Sequence, residues 1–257
     1  MRVARDFYRE RPESWEVVAN LDYLDPGSGE CREVDLFAAW MCINWAMAWE
    51  FMLVIECKDT SNPWVVLKGS SPFPGNSFSP FIQDYPLFEP AGPVTTNAKF
   101  PLKICKTQYA LSKVIRDRCP VYPAPGYSIA EGFKSGSGKD VAFNALQQVV
   151  SAAEYFAGPA ELGPPENPED IDVVVCAPVL VTTSRIFEAK LEQKSGDLNL
   201  LEVERSSVMM PRPSRSSLTV TVVNVDHLHT VIRDCETLQI AVEEFMLNFD
   251  PALLDDK

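Results

Sequence analysis

The segment "AMAWEFMLVIECKD" (46–59) constrains the fold of this chain more than any other stretch. Its apolar run is too unbroken for a strand with one wet face, and it reads as a central strand covered on both sides. Unpaired charge is costly in such a place, yet the strand ends in Glu56 and Lys58. Side chains alternate along a strand with period two, so this carboxylate and this ammonium project to the same face.

A second acid joins them from upstream. "SWEVVANLDYLD" (14–25) alternates loosely and is rich in β-formers, and "DPGSGE" (25–30) has the proline and glycines of a turn. "CREVDLFAAW" (31–40) is then the return strand, so residues 14–40 read as a β-hairpin. If 46–59 is the third strand, beside 31–40, Asp35 comes close to Glu56. Two neighbouring carboxylates form a hard oxygen site suited to Mg²⁺, which takes carboxylates and waters. The backbone carbonyl of Cys57 is a further candidate ligand. Lys58 would hold or help deprotonate an attacking water, while the ion offsets charge developing on a phosphate. An E-x-K pair by itself is most often a charge pair on a solvated sheet face. The apolar sequence around both acids argues for more than that here.

The rest of the chain supplies a framework. Residues 3–10 read as a short helix ended by Pro12, and "PWVVLKG" (63–69) as a continuation of the third strand or a short extension. Residues 70–138 read as an irregular and helical excursion, Pro-, Ser- and Phe-rich over 70–100, with a helix expected at 107–118. The clearest helix is "KDVAFNALQQVVSAAEYFA" (139–157), with an apolar stripe through Ala142, Leu146, Val149, Val150, Ala153 and Phe156 and Asp140 as its N-cap. A buried strand is expected at 171–183, a short helix at 184–193, a strand at 217–225 and a closing helix at 235–249. The reading is one α/β domain over 1–257, a mixed central β-sheet flanked by helices.

Composition narrows the function. With 46% hydrophobic and 23% charged residues the chain is an ordinary globular one. It has no apolar run long enough to span a bilayer and no apolar signal core at its N-terminus, so no membrane partner is expected. Seven cysteines without a C-x-x-C spacing read as reduced thiols of a cytoplasmic protein, and two histidines cannot build a His-rich metal site. A net charge of −13 opposes tight nonspecific DNA binding by a monomer. A homodimer or a partner protein is therefore expected to complete a basic channel.

Locally, "RSSVMMPRPSRSS" (205–217) reads either as a basic loop, with Arg212 and Arg215 on nucleic acid, or as a solvated hairpin loop. Lys139 in "GFKSGSGKD" (132–140) is a candidate phosphate contact. That stretch lacks the spacing of a nucleotide-binding loop: Phe133 stands at the first glycine position and Asp140 at the Ser/Thr position, and no strand is expected to run into it. His227 and His229 read as a surface turn, and Trp40, Trp45 and Trp49 as core.

"REVDLFA" (32–38) followed by "LVIECKD" (53–59) resembles the core motif of the PD-(D/E)XK, restriction-endonuclease-like nuclease superfamily. The resemblance implies a core of helix, three antiparallel strands, helix and a further strand, with 70–138 as an insertion after the motif strand. It also implies Mg²⁺-dependent DNA cleavage, with Mn²⁺ able to substitute, by an endodeoxyribonuclease of prokaryotic defence or DNA processing. Asp35 and Glu56 would be the metal ligands and Lys58 the water-positioning base. A first-helix glutamate is expected at Glu10, or less so Glu16, and a glutamine on the following helix at Gln147 or Gln148. Two other readings stand beside it: a catalytically inactive binding or assembly module of the same fold, and an enzyme acting on RNA or nucleotides.

Overall fold

A computed structural model describes residues 2–11, 13–43, 47–69, 125–132, 140–156, 171–192, 195–210 and 218–248. The helix expected at 107–118, and with it Trp45, Lys139, Arg212 and Arg215, lies outside them. The chain opens with helix α1 (Arg2–Glu10), anchored through the fully buried Phe7. Strands β1 (Glu16–Leu24), β2 (Cys31–Ile43) and β3 (Met47–Lys58) then form the expected antiparallel meander. Its first turn is held by Asp25, whose Oδ1 accepts from the Gly27 N–H at 2.8 Å, and by Gly29 at φ 70°, a left-handed conformation that glycine adopts without strain.

Strand β6 (Ile171–Thr182) runs parallel to β3, in register from Met47↔Ile171 to Lys58↔Thr182. Strand β10 (Leu218–Asn224) lies parallel beside β6, and β9 (Arg205–Met210) closes the far edge, giving the order β1-β2-β3-β6-β10-β9. The central position of β3 explains its composition, since Leu53, Val54 and Ile55 are all 0% exposed. On one face, α1 and helix α3 (Leu228–Asn248) bury Phe7, Trp15, Trp40, Trp49, Leu53 and Ile232. On the other, helix α2 (Val141–Phe156) packs Leu146 and Val149 against Val54 and Leu180. Asp140 caps α2 as expected, accepting from the Phe143 N–H at 2.9 Å.

The single sheet expected from the sequence is in fact two. "PWVVLKG" leaves the first sheet as β4 (Trp64–Lys68) and enters a four-stranded sheet of order β5-β4-β7-β8, with β5 (Ser128–Glu131), β7 (Ile186–Leu191) and β8 (Leu198–Val203). Trp64, Val66, Ile129 and Ile186 of this sheet share the α2-side core. The helix expected at 184–193 is therefore strand β7: its Ile186 and Phe187 pair in parallel with Trp64 and Val65, and this tertiary pairing overrides the helix-compatible spacing. The start of the presumed basic loop is edge strand β9, with Ser206, Ser207 and Val208 buried. A strand, β5, does precede "GFKSGSGKD". The last helix begins at Leu228 rather than Cys235, led in by a 3-10 turn (Val225–His227) that Asn224 caps through the Asp226 N–H at 2.9 Å.

Gly126 ties the two sheets together. Its N–H donates to the Ser207 carbonyl at 2.7 Å and its carbonyl accepts from the Met209 N–H at 2.8 Å. A Cβ at this position would meet Val66 Cγ1 at 2.5 Å and the Leu67 carbonyl oxygen at 2.8 Å. The second contact is to backbone and cannot relax by a rotamer change. Gly126→Ala is expected to destabilise the fold by ~1–3 kcal/mol, read as a fall in thermal midpoint of ~2–4 °C per kcal/mol.

Candidate functional site

The site forms where β2 leaves β3. Their ladder runs from Ile43↔Ala48 to Leu36↔Ile55 and stops there. The ladder between β1 and β2 breaks at the same level, pairing Ala19↔Leu36 and then Leu21↔Val34, with Asn20 and Asp35 left out between. Asn20 has φ 55°, the left-handed region that few residues other than glycine enter. At this point the buried side chains of β2 change sides: Val34 packs in the α2-side core and Leu36 in the α1-side core. Two residues apart on a regular strand would share a face. The kink frees the Asp35 carboxylate to take the place of a ladder carbonyl, and its Oδ2 accepts from the Cys57 N–H at 2.6 Å.

Glu56 and Lys58 sit just beyond. The Glu56 side chain is 7% exposed and its Oε1 is ion-paired with Lys58 Nζ. Burial pushes the Glu56 carboxyl above its ordinary value; the hydrogen bond from Lys58 opposes this, and the negative charge of Asp35 adds to it. The net shift is upward, because burial outweighs the Lys58 hydrogen bond. Burial, reinforced by Asp35 and Glu56, pushes the Cys57 thiol up to about 12, so it stays protonated and is no nucleophile at neutral pH.

A cleft of about 550 Å³ opens over this point, at the carboxyl ends of the parallel strands β3 and β6. Open α/β sheets bind ligands at such ends. Asp35, Cys57 and Lys58 form part of its wall, with Asp59, Thr183, Asn20 and Arg2 around them. The Thr183 hydroxyl donates to Asp59 Oδ1 at 2.6 Å, tying the loop after β3 to the loop after β6. Glu56 does not itself line the cleft. By strand alternation it shares the face of Met52 and Val54, toward α2, and it meets the cleft through Lys58.

The other expected residues are placed elsewhere. Glu10 is paired with Arg9 at 2.8 Å and lines a separate concavity of about 110 Å³ with Asp6, Asp226 and His229. It lies ~12 Å along α1 from Arg2, the helix end that reaches the cleft. Glu16 is exposed at the outer end of β1, opposite Ala39. Gln147 is exposed on α2, and Gln148 contributes its backbone oxygen to the Tyr23 hydroxyl at 3.2 Å. The His227 and His229 rings are 6.2 Å apart, with His227 Nδ1 3.2 Å from Glu204. Among the described residues no group of three or more His, Cys, Asp or Glu is placed to hold a metal ion. Asn20, Asp59, Thr183 and Arg2 were not singled out from the sequence. The polar residues directly after two parallel strands were a usable signal for Asp59 and Thr183, whereas the left-handed backbone of Asn20 left no trace. No protein-family model, curated protein or solved structure matches this chain in the comparisons made.

Proposed function

We propose that this protein is a Mg²⁺-dependent nuclease that hydrolyses DNA phosphodiester bonds, built on a restriction-endonuclease-like core. The order α1, the β1–β2–β3 meander, α2 and then β6 parallel to β3 supports that core. One observation carries the functional reading: a buried carboxylate of raised pKa, Glu56, lies behind the cleft wall, ion-paired with Lys58 and under the charge of Asp35, both of which line the cleft.

The donor set fits a hard cation. Lys58 pairs with Glu56, and the charge of Asp35 also acts on Glu56, so two carboxylates and one ammonium leave a negative charge that a divalent ion would offset. Asp35 uses one hydrogen bond on the Cys57 N–H, and an ionised carboxylate has further lone pairs to offer. Two carboxylates and the Cys57 carbonyl suit Mg²⁺, which retains waters, better than they suit a cation needing a full protein cage. Such an ion, when bound, supplies positive charge to the phosphate and acidity to a bound water. Lys58, at the cleft wall, orients the attacking water and adds positive charge beside the phosphate. Asp59 and Thr183 tie together the loops after β3 and β6 beside it.

Incubating plasmid, linear and single-stranded DNA with Mg²⁺, Mn²⁺ or EDTA tests the reading. Cleavage is expected with either ion and none in EDTA. A second reading, an inactive binding module, draws on Glu56 facing Lys58 rather than the cleft. A chain that neither cuts any of these substrates nor gains thermal stability from Mg²⁺ would establish that second reading and end the first.

A further inference from the structure

Helix α1 carries a stripe of arginine in an otherwise acidic chain. Residues 2–11 hold four arginines against two acids, while the whole chain carries −13. Arg2, Arg5 and Arg9 fall at i, i+3 and i+7, on the helix face opposite the buried Phe7. Their side chains are 54, 73 and 70% exposed. Arg2 lines the cleft that holds Asp35 and Lys58, so the stripe runs outward from the cleft mouth. Its members lie ~4.5 and ~6 Å apart along the helix axis, each on a long flexible stem.

We propose that this stripe is a phosphate track, binding the sugar–phosphate backbone of a nucleic acid strand and leading it to the cleft. This rests on the nuclease reading of the cleft and adds the surface by which the polyanion is held. Each arginine now has an acidic neighbour: Arg2 pairs with Asp226 and with Asp6 at 3.4 Å, Arg5 with Asp6 at 3.1 Å, and Arg9 with Glu10 at 2.8 Å. Exposed pairs of this kind are weak in water. A phosphate oxygen gives guanidinium a stronger, bidentate partner, so exchange is favourable. Until then the acids hold the side chains outward and suppress unselective adhesion. The track gives an acidic chain a local surface on which to meet DNA, and a short line of contacts releases few counterions, so the binding tolerates only modest salt.

Fluorescence anisotropy of labelled single-stranded and duplex DNA over a salt series, in EDTA to prevent cleavage, reads the track directly. The double variant Arg5→Ala/Arg9→Ala keeps both helix positions filled with a strong helix former, and circular dichroism checks that the fold is intact. Its slope of log affinity against log salt is expected to be shallower by about 1.4 on single strands and about 1.8 on duplex, two contacts' worth. The loss should be the same for every sequence, and Arg5→Lys/Arg9→Lys should recover the slope. An unchanged slope in the alanine variant, an equal loss in the lysine variant, or no binding by the native chain at low salt overturns the track. Cleavage by the native chain with an unchanged slope removes the track and leaves the nuclease. A reduced slope in a chain that never cuts keeps the track and removes the nuclease.

Discussion

Lys58→Ala is expected to lower Mg²⁺-dependent DNA cleavage by roughly 10²–10⁴-fold, the usual scale for a lost acid–base or water-orienting group. The fold should survive, because the Lys58 side chain is 27% exposed and stands at the wall of the cleft rather than in either core. The side chain has two duties: it lines the cleft, and its ammonium is the cation that offsets buried Glu56. Removing it leaves Glu56 beside Asp35 without that cation, so the Glu56 carboxyl should rise further and hold a proton more tightly. A divalent ion must then displace the proton, and Mg²⁺ affinity in the variant should weaken as pH falls, more steeply than in the native chain. Single-turnover plasmid cleavage and Mg²⁺ calorimetry, both across pH, separate the two duties. Cleavage at the native rate would mean that Lys58 is no more than the charge partner of Glu56.

The part of this site that the sequence revealed is the part governed by strand alternation and hairpin pairing. Period two puts Glu56 and Lys58 on one face, and the Leu36↔Ile55 register brings Asp35 to the same level. Alternation assumes a regular strand, and β2 is irregular at Asp35, where its buried face switches between Val34 and Leu36. That kink sets the Asp35 carboxylate on the Cys57 N–H, and no pattern of hydrophobicity encodes it. The second sheet was hidden for another reason. Strand β8, "LNLLEV", is exposed along almost its whole length, and β5 is four residues long with Ile129 alone buried, so neither is long or buried enough to show a period. Strand β7 depends on β4, far away in sequence, for its parallel partner. Helix α2 was legible because its apolar stripe and its Asp140 cap are both local.

Replacing the buried acid tests the charge balance on which the proposal stands, and Glu56→Gln is expected to abolish cleavage while making the protein more stable at neutral pH. The native Glu56 carboxyl titrates above its ordinary value, chiefly through burial. The folded state therefore holds this proton more tightly than the unfolded chain does. Below the ordinary glutamate range the group is neutral in both states and has no effect. As pH rises through that range and on through the raised native value, the folded state loses stability relative to the unfolded one, and the deficit is complete above it. Gln never ionises, so the variant should match the native chain in acid and exceed it across and above that window. Lys58, left without its partner, can turn to water, being partly exposed. Each kcal/mol regained would raise the thermal midpoint by ~2–4 °C in a chain of this size. Mg²⁺ should stabilise the native chain more than the variant. It stabilises the native chain by binding the folded carboxylates, by ~2.7 kcal/mol at a hundred times the dissociation constant, and has a weaker hold on the variant, which lacks one of them. Thermal unfolding across pH, with and without Mg²⁺, reads both effects. A variant less stable than the native chain at neutral pH would mean that the Lys58 pair outweighs burial, and that Glu56 is a structural ion pair rather than an acid held in readiness for a cation.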